Sequence, residues 1–340
     1  MPVCFSDPQF EQELKDSSSG DFIFVLLAGT TEVALRPGIS AAGASPELMA
    51  LTPVVDSEII MSGRCLSMND PPMTPEGIPT PSIVTRASLN LAGIPTLVID
   101  AGLSRFPQIP YIHSGLGPAK DPAFTKALPD YSSAVKLGEY VGSLLDRKFR
   151  HVVVGESIPG GTTTSYLVLR SLGFDLMTSS SLPSNPEEMK RNLWRDAEKR
   201  SPIMKDPEDC SSQFGDYSIP ISLGIARSTR NSDLIFAGGT QMATCSHFVR
   251  AIVKRTPYLC TTSWVMENSG ETIRRLVPGN HLITSQINMG GSRHEGLRMY
   301  EKGHVREGAG MGGSFMLASL LNGDEARIYS DVDDLYDSLS

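Results

Sequence analysis

Six short β-rich runs punctuate this chain: DFIFVLLAG at 21–29, PTLVIDAG at 95–102, HVVVGE at 151–156, SDLIFAGG at 232–239, YLCTTSWV at 258–265 and HLITSQI at 281–287. Several are apolar throughout, whereas a strand with one wet face alternates apolar with polar residues. Such runs need cover on both faces, which parallel strands receive from crossover helices. Helical patterns do lie between them. SAVKLGEYVGSLLDRK places Leu137, Val141, Leu144 and Leu145 along one face, after Ser132 or Ser133 as N-cap. TQMATCSHFVRAIVKR places Met242, Cys245, Val249, Ile252 and Val253 on one stripe. This alternation predicts an α/β fold: a doubly wound, mostly parallel Rossmann-like sheet of about six strands, with helices on both faces and right-handed crossovers.

The 340 residues suffice for one unit spanning 1–340. The reading is a large α/β domain over roughly 20–320, with a small helical lobe from the N- and C-terminal segments and inserts. NPEEMKRNLWRDAEKR reads as a charged surface helix, with Asn185 as N-cap and Pro186 at the first helical position. Residues 36–86, rich in Pro, Gly and Ser, show no clean period and read as long loops and short helices over the mouth of the sheet.

Lys and Arg number 30 against 38 Asp and Glu, a net charge of −8, which argues against a nucleic-acid surface. MPVCFSDPQFEQELKD has no basic start leading into an apolar run, and no apolar run is long enough to span a bilayer. The five cysteines are scattered, without a CxxC pair. That pattern favours reduced thiols and a cytoplasmic protein, with no membrane partner.

In an open parallel sheet, ligands bind beyond the carboxyl ends of the strands. After HVVV comes GESIPGGTTTSYLVLRSLG, in which Gly160 and Gly161 bare their amides ahead of a helix that Thr162 or Thr163 is expected to cap. A glycine turn feeding a helix N-terminus is a natural anion site; a tight turn with no ligand is the competing reading. No Lys stands where a nucleoside-triphosphate loop needs one. Gly238 and Gly239 form a second turn of this build. A third lies in HVREGAGMGGSFMLASLL, where Glu307 precedes Gly308, Gly310, Gly312 and Gly313. A carboxylate beside a glycine-lined cavity is poorly solvated, which raises its pKa and suits it to accept a proton. An ordinary first-turn helix acid is the other reading, and neighbouring Arg306 either opposes the shift or faces solvent. His294 and Glu295 lack a second His at helical spacing, so no metal site and no cofactor is expected.

Together these stretches resemble the nicotinate-nucleotide:dimethylbenzimidazole phosphoribosyltransferases of cobalamin lower-ligand synthesis. GESIPGGTT at 155–163 matches that family's Gly-Glu-Met-Gly-Ile-Gly-Asn-Thr-Thr loop without a gap, and EGAG at 307–310 matches its late Glu-Gly-Thr-Gly loop. RHEGLRMYEKGHVREGAGMGG is most similar to an archaeal and cyanobacterial branch. The resemblance implies that Glu307 is the general base and that Glu156, Gly160, Thr162 and Thr163 lie near the ribose and phosphate of nicotinate mononucleotide. Gly161, Gly238, Gly239, Gly308 and Gly310 complete the expected nucleotide-binding set. The family's Asn falls on Gly161 and an earlier Gly on Ile158, so side-chain contacts there do not carry over. PSIVTR puts Ser82 or Ile83 where the family's base pocket has Gln, with Thr85 alongside, leaving the acceptor base open.

The implied reaction moves phosphoribosyl from nicotinate mononucleotide to 5,6-dimethylbenzimidazole or a related base, giving α-ribazole phosphate and nicotinate. Its leaving group is a pyridinium, already positive, and no pyrophosphate departs, so one base suffices. A homodimer is also implied. Two other functions compete: a Rossmann-type NAD(P) oxidoreductase, although no GxGxxG follows any strand, and a non-catalytic nucleotide-binding regulator for which Glu307 is dispensable.

Overall fold

The computed structural model describes every residue except Met1, Ala41, Ala44, Pro202, Ile203 and Ser340. Its centre is a seven-stranded sheet, β1 (Val3–Phe5), β2 (Phe22–Ala28), β3 (Thr96–Asp100), β4 (His151–Ser157), β5 (Asp233–Ala237), β6 (Tyr258–Thr262) and β7 (Leu282–Ser285). Spatial order is β1-β7-β6-β5-β4-β2-β3, and every pairing is parallel except that of β1 with β7. All six expected runs are strands. The seventh, β1, adds to the expected set: three residues are too short to show a period, and tertiary pairing alone defines them.

Burial explains the unbroken apolar runs. Along β2, Ile23, Val25 and Leu27 join the core on one face, while Phe22, Phe24, Leu26 and Ala28 join the core on the other. On the first face the helices Tyr131–Leu145 and Ser218–Ser228 cross at glycines. A Cβ on Gly138 would fall 2.2 Å from the Ile221 carbonyl oxygen, and one on Gly224 would fall 2.1 Å from that of Val135. This crossing shifts the buried face of Tyr131–Leu145 to Ala134, Val135, Gly138, Val141, Gly142 and Leu145. Leu144 is left exposed, against expectation, and Asp130 rather than a serine precedes the helix. On the opposite face, the terminal helices Pro8–Lys15 and Glu325–Leu339 bury Phe10, Leu14, Ile328 and Val332 in the same core as the helices Ser82–Ala92 and Met311–Leu321.

The segment 36–86 is more regular than its composition suggests. Ser45 caps a 17-residue helix, Pro46–Ser62, by accepting the Leu48 amide, with Pro46 in its first turn, and Gly63 ends it in a left-handed conformation. The helix is buried continuously from Thr52 to Ile60, so it has no wet face to supply a period. From its far end the Glu58 carboxylate gathers the amides of Leu66, Ser67 and Gln108 at 2.9 Å each, which orders the loop that follows. None of the described helices is long and apolar enough to cross a membrane.

Strand succession reverses between β2 and β4, since β3 lies to one side and β5, β6 and β7 to the other. Loops leaving adjacent strands part at such a point and open a crevice beyond the carboxyl ends.

Candidate active site

Strand β4 ends in Glu156 and Ser157 and turns sharply at Gly160 (φ +83°) into the helix Gly161–Ser171. The turn is fixed from β2, because the Thr31 hydroxyl donates to the Pro159 carbonyl at 2.8 Å. That hydroxyl lies 2.4 Å from where a Gly160 Cβ would stand. Gly160 itself is the capping residue, so neither Thr162 nor Thr163 caps the helix; both lie in its first turn. At Gly161 a Cβ would collide with the Gln241 amide at 1.9 Å. The glycine is therefore needed to admit Gln241, whose amide donates to Asp216 at 3.2 Å.

The 307–310 loop docks onto the same strand end. The Ala309 amide donates to the Glu156 carbonyl at 2.9 Å, and the Thr85 hydroxyl donates to the Ala309 carbonyl at 3.1 Å. Gly310 (φ +73°) crosses Gly155 so closely that a Cβ on Gly155 would meet the Gly310 Cα at 2.9 Å. Ala309 itself holds φ +53°, a costly conformation for a residue with a Cβ, of the kind that collects at functional loops.

Glu307 touches both the start of the following helix and the cavity. Its carboxylate accepts the amides of Gly308 at 3.1 Å and of Gly312, in the first turn of Met311–Leu321, at 3.2 Å. It also lines the cavity. Burial pushes its pKa up to about 7, while the amides of Gly312 and Gly308 pull the other way. Arg306 does not offset this shift, because its guanidinium donates to the Ser180 and Leu182 carbonyls at 2.9 and 3.1 Å. Glu156 is pushed further, to about 8, by burial and by the nearby Asp216 carboxylate, against the Ile158 amide it accepts at 3.0 Å.

The cavity holds about 1020 Å³ of empty volume, part of it open to solvent. Of the expected residues, Glu156, Gly160, Gly161, Thr162, Gly239, Glu307 and Gly308 line it. Thr163, Gly238 and Gly310 do not; they sit behind the wall and shape its turns. Ser82 and Thr85 are likewise absent from the lining, fully buried within Ser82–Ala92, while the preceding Thr80 and Pro81 reach the cavity. Glu307 bridges two sides of it. A Cβ on Gly239 would lie 3.8 Å from that of Glu307, and one on Gly308 would lie 2.9 Å from the Pro81 ring.

Several lining residues escaped the sequence reading: Asp56, Thr80, Ser157, Ser179, Ser180, Ser181 and Gln241. Asp56 sits mid-helix in an apparent loop region, with no local signal. The serines belong to SSSLPS, a loop-like stretch held from behind by Lys190. This lysine, on the expected surface helix Glu187–Arg200, is fully buried. It donates to the Thr178 carbonyl and hydroxyl at 3.1 and 3.2 Å and to the Ser179 carbonyl at 2.7 Å. Burial lowers its pKa to about 7. The helix begins one residue later than expected, with Pro186 rather than Asn185 at the cap. Asp100, at the end of β3, caps the loop that follows: one oxygen accepts the Gly102 and Leu103 amides at 2.9 and 2.8 Å.

This fold has counterparts among solved structures. Two from Thermus thermophilus, described as a nicotinate-nucleotide-dimethylbenzimidazole phosphoribosyltransferase and as CobT, each align with a TM-score of 0.60 at 15% identity. The alignments cover 93% and 92% of this chain, and 92% and 86% of the two structures. The resemblance noted in the sequence thus extends to the fold over most of the chain. No family model matches the sequence. Relatives of comparable length do: the UPF0284 protein of Thermoplasma volcanium is 45% identical over 323 residues, 95% of each chain. That of Thermoplasma acidophilum is 43% identical over 92% of each chain. That of Saccharolobus solfataricus is 36% identical over 94% of this chain and 93% of its own. The chain belongs to the UPF0284 family.

Proposed function

We propose that this protein transfers phosphoribosyl from nicotinate mononucleotide to 5,6-dimethylbenzimidazole or a related base, with Glu307 as the general base. One observation carries the reading: the Glu307 carboxyl, pushed up to about 7, faces a cavity bounded by the glycine turns at Gly160–Gly161 and Gly239. An acid of that pKa is substantially ionised near neutrality and still basic enough to take a proton from a heterocyclic N–H.

In this mechanism the amides around Gly160, Gly161 and Thr162 cradle the phosphate of the mononucleotide. The C1′–N bond to the nicotinate ring breaks, its electron pair neutralises the pyridinium, and positive charge develops on the ribose. The unprotonated nitrogen of the acceptor attacks C1′, and its N–H proton passes to Glu307. Holding both reactants in line contributes as much as the proton transfer. Glu156, raised to about 8 by burial, is largely protonated near neutrality and so does not repel the incoming phosphate. Gly239, Gly308 and Thr162 are proposed contacts of the nucleotide. Gly238, Gly310 and Thr163 act by fixing the loops, and Ser82 and Thr85 by backing the acceptor end of the cavity. We further propose that the chain acts in the cytoplasm as one unit, with a small lobe of terminal and inserted helices, and as a homodimer, for which light scattering should return twice the chain mass.

The test is incubation of the purified protein with nicotinate mononucleotide and the base, followed by chromatography. Nicotinate and the α-nucleotide should appear in equal amounts, and neither without the base. Tight mononucleotide binding without product from any benzimidazole or purine would reject transfer in favour of a nucleotide-binding regulator.

A further inference from the structure

Gln241, in the first turn of the helix Thr240–Val253, lines the cavity although only 3% of it is exposed. The proposed proton transfer gives it no task. Its carboxamide is nonetheless held in one orientation. Nε2 donates to Asp216 Oδ2 at 3.2 Å and, more weakly, to the Ser218 hydroxyl oxygen at 3.4 Å. Asp216 is itself fixed, accepting the Ser218 amide at 2.9 Å and the hydroxyls of Ser218 and Thr164. Oε1 fills the space that Gly161 leaves open, since a Cβ on Gly161 would stand 1.9 Å from it. No described residue donates a hydrogen bond to this oxygen.

We infer that Gln241 selects ribose over deoxyribose: its Oε1 accepts a hydrogen bond from a sugar hydroxyl of the mononucleotide. The inference rests on the transfer reading above, which puts the phosphate at the amides around Gly160, Gly161 and Thr162. Oε1 sits at that same turn, against Gly161. An amide oxygen only accepts hydrogen bonds, so it pairs with neither a phosphate oxygen nor the nicotinate carboxylate. Its partner must bring a hydrogen. Near neutrality the donors on the mononucleotide are its two ribose hydroxyls, and the N–H of the acceptor base is already assigned to Glu307. Turning the carboxamide over would set Oε1 against Asp216 Oδ2 and the Ser218 oxygen, both acceptors in this network. The orientation therefore holds as the nucleotide enters. A sugar without the hydroxyl displaces water from Oε1 and returns nothing, and a buried acceptor left unpaired is penalised.

Nicotinate mononucleotide and its 2′-deoxy and 3′-deoxy counterparts are the probes, titrated calorimetrically into the intact protein without acceptor base. One of the deoxy compounds should bind about tenfold more weakly than the ribonucleotide, the worth of one hydrogen bond. Gln241→Met keeps the length of the side chain and removes the acceptor. It should weaken the ribonucleotide by about the same factor and leave that deoxy compound unchanged, so the preference disappears. Equal affinity of the unaltered protein for all three compounds, which needs no variant to observe, overturns the inference. So does an undiminished preference in Gln241→Met. The two readings fail separately once acceptor base is added. Equal affinities with nicotinate still released strike only the role of Gln241, whereas a ribose preference with no release of nicotinate strikes only the transfer.

Discussion

Glu307 is pulled in two directions, and the balance sets its chemistry. Amides of Gly308 and Gly312 favour the carboxylate, burial disfavours it more, and the group settles at about 7. Because the base must be ionised, kcat/KM should rise with pH through about 7 and then level off. A profile falling through that range would contradict the assignment. Glu156, at about 8, gives a stability prediction instead. Its folded-state pKa lies above the ordinary glutamate value of 4.5, so the folded protein holds this proton more tightly than the unfolded chain does. Stability is full below the unfolded value and falls as pH rises toward the folded one. Glu156→Gln escapes that loss: its melting temperature should match the parent's in mild acid and exceed it in mild base. The gain should be on the order of 2 kcal/mol, below the full linkage value because the cavity side is wet. Equal melting curves across that range would refute the buried-acid picture. Glu307 was legible at this scale because a glycine-bounded acid is unusual. Asp56 was not, because a lone aspartate in a featureless stretch acquires meaning only from Thr80 and Ser157, which are distant in sequence.

Between elements, the site depends on two glycine loops locked to one strand end. Gly155 and Gly310 touch backbone to backbone, and the Ala309 amide bonds to the Glu156 carbonyl. Gly155→Ala drives a methyl into the Gly310 Cα and the Phe24 ring, so it should displace Glu307. We expect a loss of about 2 kcal/mol in stability and a larger proportional loss in turnover, measured by denaturant melts and product assays on one preparation. Unchanged turnover would show that the contact does not position Glu307. Lys190 holds the 178–181 segment through three acceptors, with no carboxylate bonded to it among the described residues. Lys190→Met should spare the sheet but weaken mononucleotide binding, because the serines it holds lose their placement; unaltered affinity would disprove that role. The turns at 160–161 and 238–239 were readable because glycine before a helix has a specific backbone meaning. The helix Pro46–Ser62 was not, because burial along Thr52–Ile60 erases the amphipathic contrast on which periodicity relies. Its end signals, Ser45 with Pro46 and Gly63, were present and outweighed by the surrounding Pro, Gly and Ser.

For the molecule as a whole, double burial wrote the sheet into the sequence. Runs such as FIFVLLA feed side chains to two cores at once, and only a covered parallel sheet tolerates that. The edge strand β1 and the strand order were invisible, since both are set by contacts between distant segments. The crevice follows from that order, where β2 and β4 part. The central claim is that a carboxylate in the crevice takes the acceptor's proton while the ribose changes partners. Its most direct measurement is the single-turnover rate of Glu307→Gln beside the unaltered protein, above the Glu307 pKa, with mononucleotide affinity determined on the same samples. The account predicts a rate lower by about 10² to 10⁴ with affinity unchanged. An equal rate, or a loss fully explained by weaker nucleotide binding, would contradict it.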